Sequence, residues 1–137
     1  MHMIVYMSEY NGPDDAISAD LKNIEATAKV NNYRHNITGV LFHFDRKFLQ
    51  VIEGAEDNLR ALMEKISLDP RHHNIDYLVD TPVEFRGFEK WNMDTLNLNN
   101  PAEFNVDNMR SLTKNFEENL LPRSDALIYF YRKLLGA

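Results

Sequence analysis

Apolar and polar positions alternate between two periods along this chain. Residues 3–7 form a short apolar run that ends at the polar, Gly-Pro-bearing stretch Ser8 to Asp15, the pattern of a buried strand entering a loop. From Ser18 to Val30 the spacing becomes helical, with Leu21, Ile24 and Ala28 on one face and Asp20 near the positive end of the helix dipole. Ile37–Phe44 and Phe48–Ile52 are rich in Val, Ile, Leu and Phe and are separated by Asp45-Arg46-Lys47, which predicts a hairpin. Leu59, Leu62, Met63 and Ile66 then mark one face of a helix from Asp57 to Leu68, stopped by Asp69-Pro70. Ile75–Val79 and Trp91–Leu98 predict two more strands, the second placing Trp91 and Met93 on one face by period two.

The predicted order is therefore βαββαββ. It implies an α+β architecture, a ferredoxin-like sheet with two helices on one face. Beyond Pro101, Met109, Leu112, Phe116 and Leu120 share a helical face closed by Pro122. Ser124 can cap a last helix carrying Leu127, Phe130, Tyr131 and Leu134, with Gly136 past its end. The tail is thus expected to be a C-terminal helical pair that needs a surface to cover, or that offers residues Leu127 to Leu135 for self-association.

Composition narrows the picture modestly. The 137 residues suit one domain, and 44% hydrophobic with 26% charged residues is an ordinary globular balance. A formal charge of −6 opposes nucleic acid and anionic membrane as partners. There is no cysteine, which excludes disulfides and thiolate chemistry. No signal peptide or apolar stretch of about 20 residues stands out, so a cytoplasmic location is expected. His2-Met3 has the look of a cloning remnant, so no chemistry is expected of His2.

Candidate chemistry lies in polar residues inside apolar strands. Tyr6 shares a face with Ile4 and Ser8, and Gln50 shares one with Phe48 and Ile52. Taken alone, each is accounted for by a bond to backbone. Asn31 and Asn32 follow the first predicted helix, either as a helix stop or as amides complementary to a flat heterocycle with carbonyl and N–H edges. Arg71 and His72 belong either to a solvated turn or to a contact with phosphate or polyol. His35, His43 and His73 have no familiar metal-ligand spacing.

Read in order, Tyr6-Met7-Ser8, Asn31-Asn32, Ile37-Thr38-Gly39, Phe48-Leu49-Gln50-Val51-Ile52-Glu53-Gly54, Asp69-Pro70-Arg71-His72 and Trp91-Asn92-Met93 resemble the signature of BLUF domains. The resemblance covers residues 3 to about 98. It implies a noncovalent flavin between the two helices, FAD first with FMN or riboflavin as alternatives, and a photosensor rather than an enzyme. It implies that Gln50 bridges Tyr6 and the flavin, that light drives electron and proton transfer from Tyr6, and that the glutamine amide then rotates or tautomerises. Asn32, with Asn31 beside it, would hold the pyrimidine edge; Ile24 and Phe48 would pack on the ring; Arg71 and His72 would contact its pyrimidine or side-chain region. Trp91 and Met93 would relay the change to the tail.

The resemblance further implies a sensor domain at residues 1–100 and a signalling or oligomerisation extension at 101–137, read out by a second copy or a downstream protein. Two departures stand out. Ala28 occupies a position where many members carry serine, and Asn36 one where glycine is common. The competing reading is a ferredoxin-like regulatory or binding module without photochemistry, for which the same polar residues are structural. An acyl-phosphate hydrolase is disfavoured by the lack of a glycine-rich phosphate loop with paired arginine near the start.

Overall fold

A computed structural model describes residues 1–89, 91–99, 110, 113–123, 125, 127 and 128. The elements run β1 (His2–Tyr10), a 3-10 turn at Asp14–Ala16, α1 (Ile17–Arg34), β2 (Thr38–Phe44), β3 (Lys47–Gly54), α2 (Glu56–Ser67), β4 (His72–Pro82) and β5 (Asn92–Asn97). The five strands form one mixed sheet in the order β4-β1-β3-β2-β5, antiparallel except where β5 joins β2 in parallel at the edge. This is the α+β, ferredoxin-like arrangement expected from the pattern.

Period-two alternation sorts the strand residues onto two faces. On one, Ile4, Tyr6 and Ile52 pack with Leu59 and Met63 of α2, while Tyr10, Leu41 and Phe48 pack with Ile17 and Leu21 of α1. On the other, Met3, Val5, Val40, Phe42, Leu49 and Val51 meet Phe88, Trp91 and the tail residues Leu120 and Leu127, both fully buried. Each such side chain contributes roughly 1.5–3 kcal/mol by leaving water, so the tail's two leucines are part of the core rather than an appendage. Of the expected helical pair, Phe116–Leu120 and Leu121–Arg123 are helical turns. Met109, Leu112, Ser124, Phe130, Tyr131, Leu134 and Gly136 lie outside the described residues.

Three expectations are corrected. Asn31 and Asn32 do not stop the first helix; α1 continues to Arg34, and the left-handed residue that turns the chain is Asn36, with φ of 53°. Asparagine accepts this conformation where glycine is common because its short polar side chain bonds locally. β4 begins at His72 and runs to Pro82, longer than Ile75–Val79, because it pairs with β1 from His2 to Tyr10. Trp91 and Met93 do not share a face: Trp91 joins the tail-side core and Met93 the helix-side core.

The cause of the last is a bulge. Gly39 pairs with Asn92 but Val40 with Asp94, leaving Met93 as an extra residue with φ of 55°. One inserted residue resets the alternation. Gly39 permits it: a Cβ there would sit 1.9 Å from the Val51 carbonyl oxygen, and its N–H donates to the Trp91 carbonyl at 2.8 Å.

Candidate functional site

Between the helices and the sheet lies a cavity of about 160 Å³ that opens to solvent. Tyr6, Ile24, Asn31, Asn32, Phe48, Gln50, Arg71 and His72, scattered over 67 sequence positions, all line it. β1 and β3 supply the floor, since Tyr6 and Gln50 are direct partners in the antiparallel register. Helical spacing supplies one wall, with Ile24, Thr27, Ala28 and Asn31 successive along one face of α1. α2 supplies the opposite wall with Leu62, Lys65 and Ile66.

The Tyr6 hydroxyl donates to Gln50 Oε1, and Gln50 Nε2 donates to Met93 Sδ at 3.0 Å. All three residues are buried. Burial, followed by the nearby Asp69 and Tyr77, pushes the Tyr6 phenol far above its ordinary range, so Tyr6 remains the protonated donor in this pair. The amide is held by a strong partner at its oxygen and by a weak sulfur acceptor at its nitrogen.

Asn32 is 2% exposed, yet its Nδ2 has no hydrogen-bond partner among the described residues. A buried amide donor at a cavity wall calls for an acceptor from a ligand. His72 is engaged differently: a carbonyl can only accept, so Nε2 donates to Ile66 O at 2.6 Å, leaving Nδ1 as acceptor of the Ser8 hydroxyl at 2.7 Å. Both ring nitrogens are thus occupied, and His72 presents its ring to the cavity. Asp69 grips Arg71 through Nε at 2.9 Å and Nη2 at 2.5 Å and fixes the direction of the guanidinium. That bond, outweighing partial burial, holds the Asp69 carboxyl below its usual range.

The donor set fits a planar heterocycle. Ile24, Leu41, Phe48, Leu62 and Ile66 offer apolar surface for its faces, while Gln50, Asn31 and Asn32 offer amides for its edge. Lys65 and Arg71 bring positive charge to the same cavity. Residues 1–94 match the family described as BLUF, sensors of blue-light using FAD. The chain belongs to the BLUF family.

As a BLUF protein it is similar to photoactivated adenylate cyclase subunit beta of Euglena gracilis, 30% identical over 93 residues that are 68% of this chain and 11% of that protein. It is also similar to the blue light- and temperature-regulated antirepressor BluF of Escherichia coli, 28% identical over 69% of this chain and 23% of that one. The chain thus spans only about a tenth of the length of the cyclase relatives it matches. Among solved structures, the ground state of BlsA covers 100% of this chain and 89% of its own, at 30% identity and TM-score 0.70. The dark state of the BLUF protein BlrB covers 99% and 96%, at 26% identity and TM-score 0.69. BLUF domains are sensors of blue light that use a flavin, and that is the function class of the family to which residues 1–94 belong. Among the described residues no helix is long and apolar enough to cross a membrane, and no cluster of metal-ligating side chains occurs.

Sequence reasoning did not single out Thr27, Leu41, Leu62, Lys65, Ile66 and Asp69 as site residues, although they line the cavity. Leu62 and Ile66 carried a signal as the apolar face of α2, which must cover something. Asp69 carried one as a carboxylate two residues before an arginine. Glu53 was legible only as part of a motif. Fully buried, it accepts from the Gly87 and Phe88 amides, each at 2.7 Å, and so anchors the β4–β5 loop that leads to Trp91.

Proposed function

We propose that this chain is a blue-light receptor that binds FAD noncovalently and in which Tyr6 and Gln50 form the switch. A bound flavin supplies blue-light absorption and, once excited, an acceptor for an electron and a proton from Tyr6. The observation that carries the proposal is the continuous chain Tyr6–Gln50–Met93, whose first two members line the cavity.

Loss of its proton turns the Tyr6 oxygen from donor to acceptor. The Gln50 amide is then mispaired at its strong end, at a cost of roughly 1–3 kcal/mol for a buried polar group. Reversing or tautomerising the amide restores a donor toward Tyr6. Reversal also turns the amide oxygen toward Met93 Sδ in place of the N–H, which releases the tie between Gln50 and β5. In this reading Asn32 and Asn31 hold the flavin's polar edge, Ile24 and Phe48 pack on its ring, and Arg71, oriented by Asp69, meets its side chain. His72 closes the site through its ring. Ala28 leaves the switch without the hydroxyl that many members carry there.

Met93 and Trp91, on opposite faces of the sheet, carry the change from the cavity side to the tail side. Residues 1–100 thus form the sensor and 101–137 the extension. Readout passes to a second copy or to a separate cytoplasmic protein without turnover of a substrate.

The purified protein should be yellow, or become so when supplied with FAD, and its flavin band should shift to the red under blue light and return in the dark. Colourless protein that takes up no FAD would overturn the proposal in favour of a plain binding module.

A further inference from the structure

We propose that Lys29, with Glu25, Asp94 and Thr95, is a latch that fixes β5 against α1 and thereby holds Met93 in contact with Gln50. The inference rests on the reading of Gln50 as the switch and assigns residues that regulate how long the switched state persists. Lys29 Nζ lies 2.9 Å from Asp94 Oδ1 and 3.0 Å from Glu25 Oε1. Thr95 Oγ1 donates to Glu25 Oε2 at 2.8 Å. Two residues of α1 and two of β5 are thus joined in one network.

Its place in both elements is what gives it a role. Glu25 and Lys29 each follow a cavity-lining residue, Ile24 and Ala28, so the network is fastened to the wall of the site. Asp94 directly follows Met93, the bulged residue with φ of 55°. A methionine is disfavoured in that left-handed conformation, so β5 needs a restraint beside it to keep the bulge. β5 is also an edge strand with β2 as its one sheet neighbour, and the latch supplies a second attachment. Hydrogen bonds to Asp94 and then Glu25 hold the Lys29 ammonium above its usual range. Burial alone would raise the Glu25 carboxyl, but the bonds from Lys29 and Thr95 outweigh it and lower it. Both groups are thus charged in the network.

Lys29→Met should loosen β5 and weaken the resting arrangement of Met93 against Gln50. In the dark, hydrogen exchange of the Asp94–Leu96 amides in the full chain should accelerate by about three-fold, and return after blue light should slow by about two- to five-fold, the range for partly exposed ion pairs and modest couplings. Lys29→Arg should restore both. Arg60→Met, which removes an unrelated ion pair with Asp80, should leave both unchanged. Unaltered β5 exchange in Lys29→Met, faster exchange with unaltered return, or an equal effect of Arg60→Met would each overturn the latch. If the unmodified protein gave no light response, the switch reading would fall instead, while the dark exchange arm would still decide whether Lys29 restrains β5.

Discussion

At the scale of single residues, the site depends on polar groups whose partners are chosen by register. Tyr6 and Gln50 were visible in the sequence as polar breaks in apolar strands, but their meeting was not, because nothing local fixes which residue of β3 faces which residue of β1. Asn32 illustrates the opposite difficulty. As a sequence feature it reads equally as a helix stop or as a ligand amide, and only its position inside α1, facing the cavity with a free Nδ2 among the described residues, favours the second. Asn32→Ala should therefore cost little stability and raise the flavin dissociation constant by about ten-fold, equivalent to about 1.4 kcal/mol for one hydrogen bond. Titration of the apoprotein with FAD checks this, and an unchanged constant would remove Asn32 from the site.

At the scale of elements, β1, α1, the β2–β3 hairpin and α2 were legible to within a few residues because their periodicity is long and clean. The hairpin turn is an instance: Asp45 and Arg46 both have positive φ, 49° and 63°, as the primed two-residue turns matching strand twist require. β5 was legible as a strand, but its facing was not. A bulge is invisible to a period-two reading, and here it decides that Trp91 looks to the tail and Met93 to the switch. The sterically decisive partner is Gly39. Gly39→Ala would drive a Cβ into the Val51 carbonyl and should cost at least about 3 kcal/mol, measured by urea unfolding. A loss below about 1 kcal/mol would mean that β2 can shift without disturbing β3.

At the scale of the whole molecule, the sheet separates a ligand face from a tail face, and strands carrying residues on both faces connect them. β3 bears Gln50 toward the cavity and Glu53 toward the loop before Trp91. The tail's contribution was only partly legible: that Leu120 and Leu127 belong to the apolar faces of two successive helices was plain, but that both are fully buried on the far face is a tertiary fact. His2, set aside as a sequence feature, belongs to a network at the β1–β4 seam, with Nε2 2.6 Å from Asp80 Oδ1 and Arg60 Nη1 2.6 Å from Asp80 Oδ2. Hydrogen bonds from Arg60, then His2, bring the Asp80 carboxyl down to about 2. Because the folded value lies below the unfolded value near 3.9, this stabilisation is full above about pH 4 and is lost as pH falls toward 2. Solvent screening limits it to about 1 kcal/mol. Thermal melts from pH 5 to pH 2 should show a shallower acid loss in Asp80→Asn than in the unmodified protein, and equal slopes would remove Asp80 from the acid response. The central claim, that an amide between Tyr6 and Met93 is the light switch, is tested most directly by the light-minus-dark absorption spectrum of Gln50→Leu. A variant that still binds flavin but shows no light-induced red shift is the predicted result, and a red shift equal to that of the unmodified protein would contradict it.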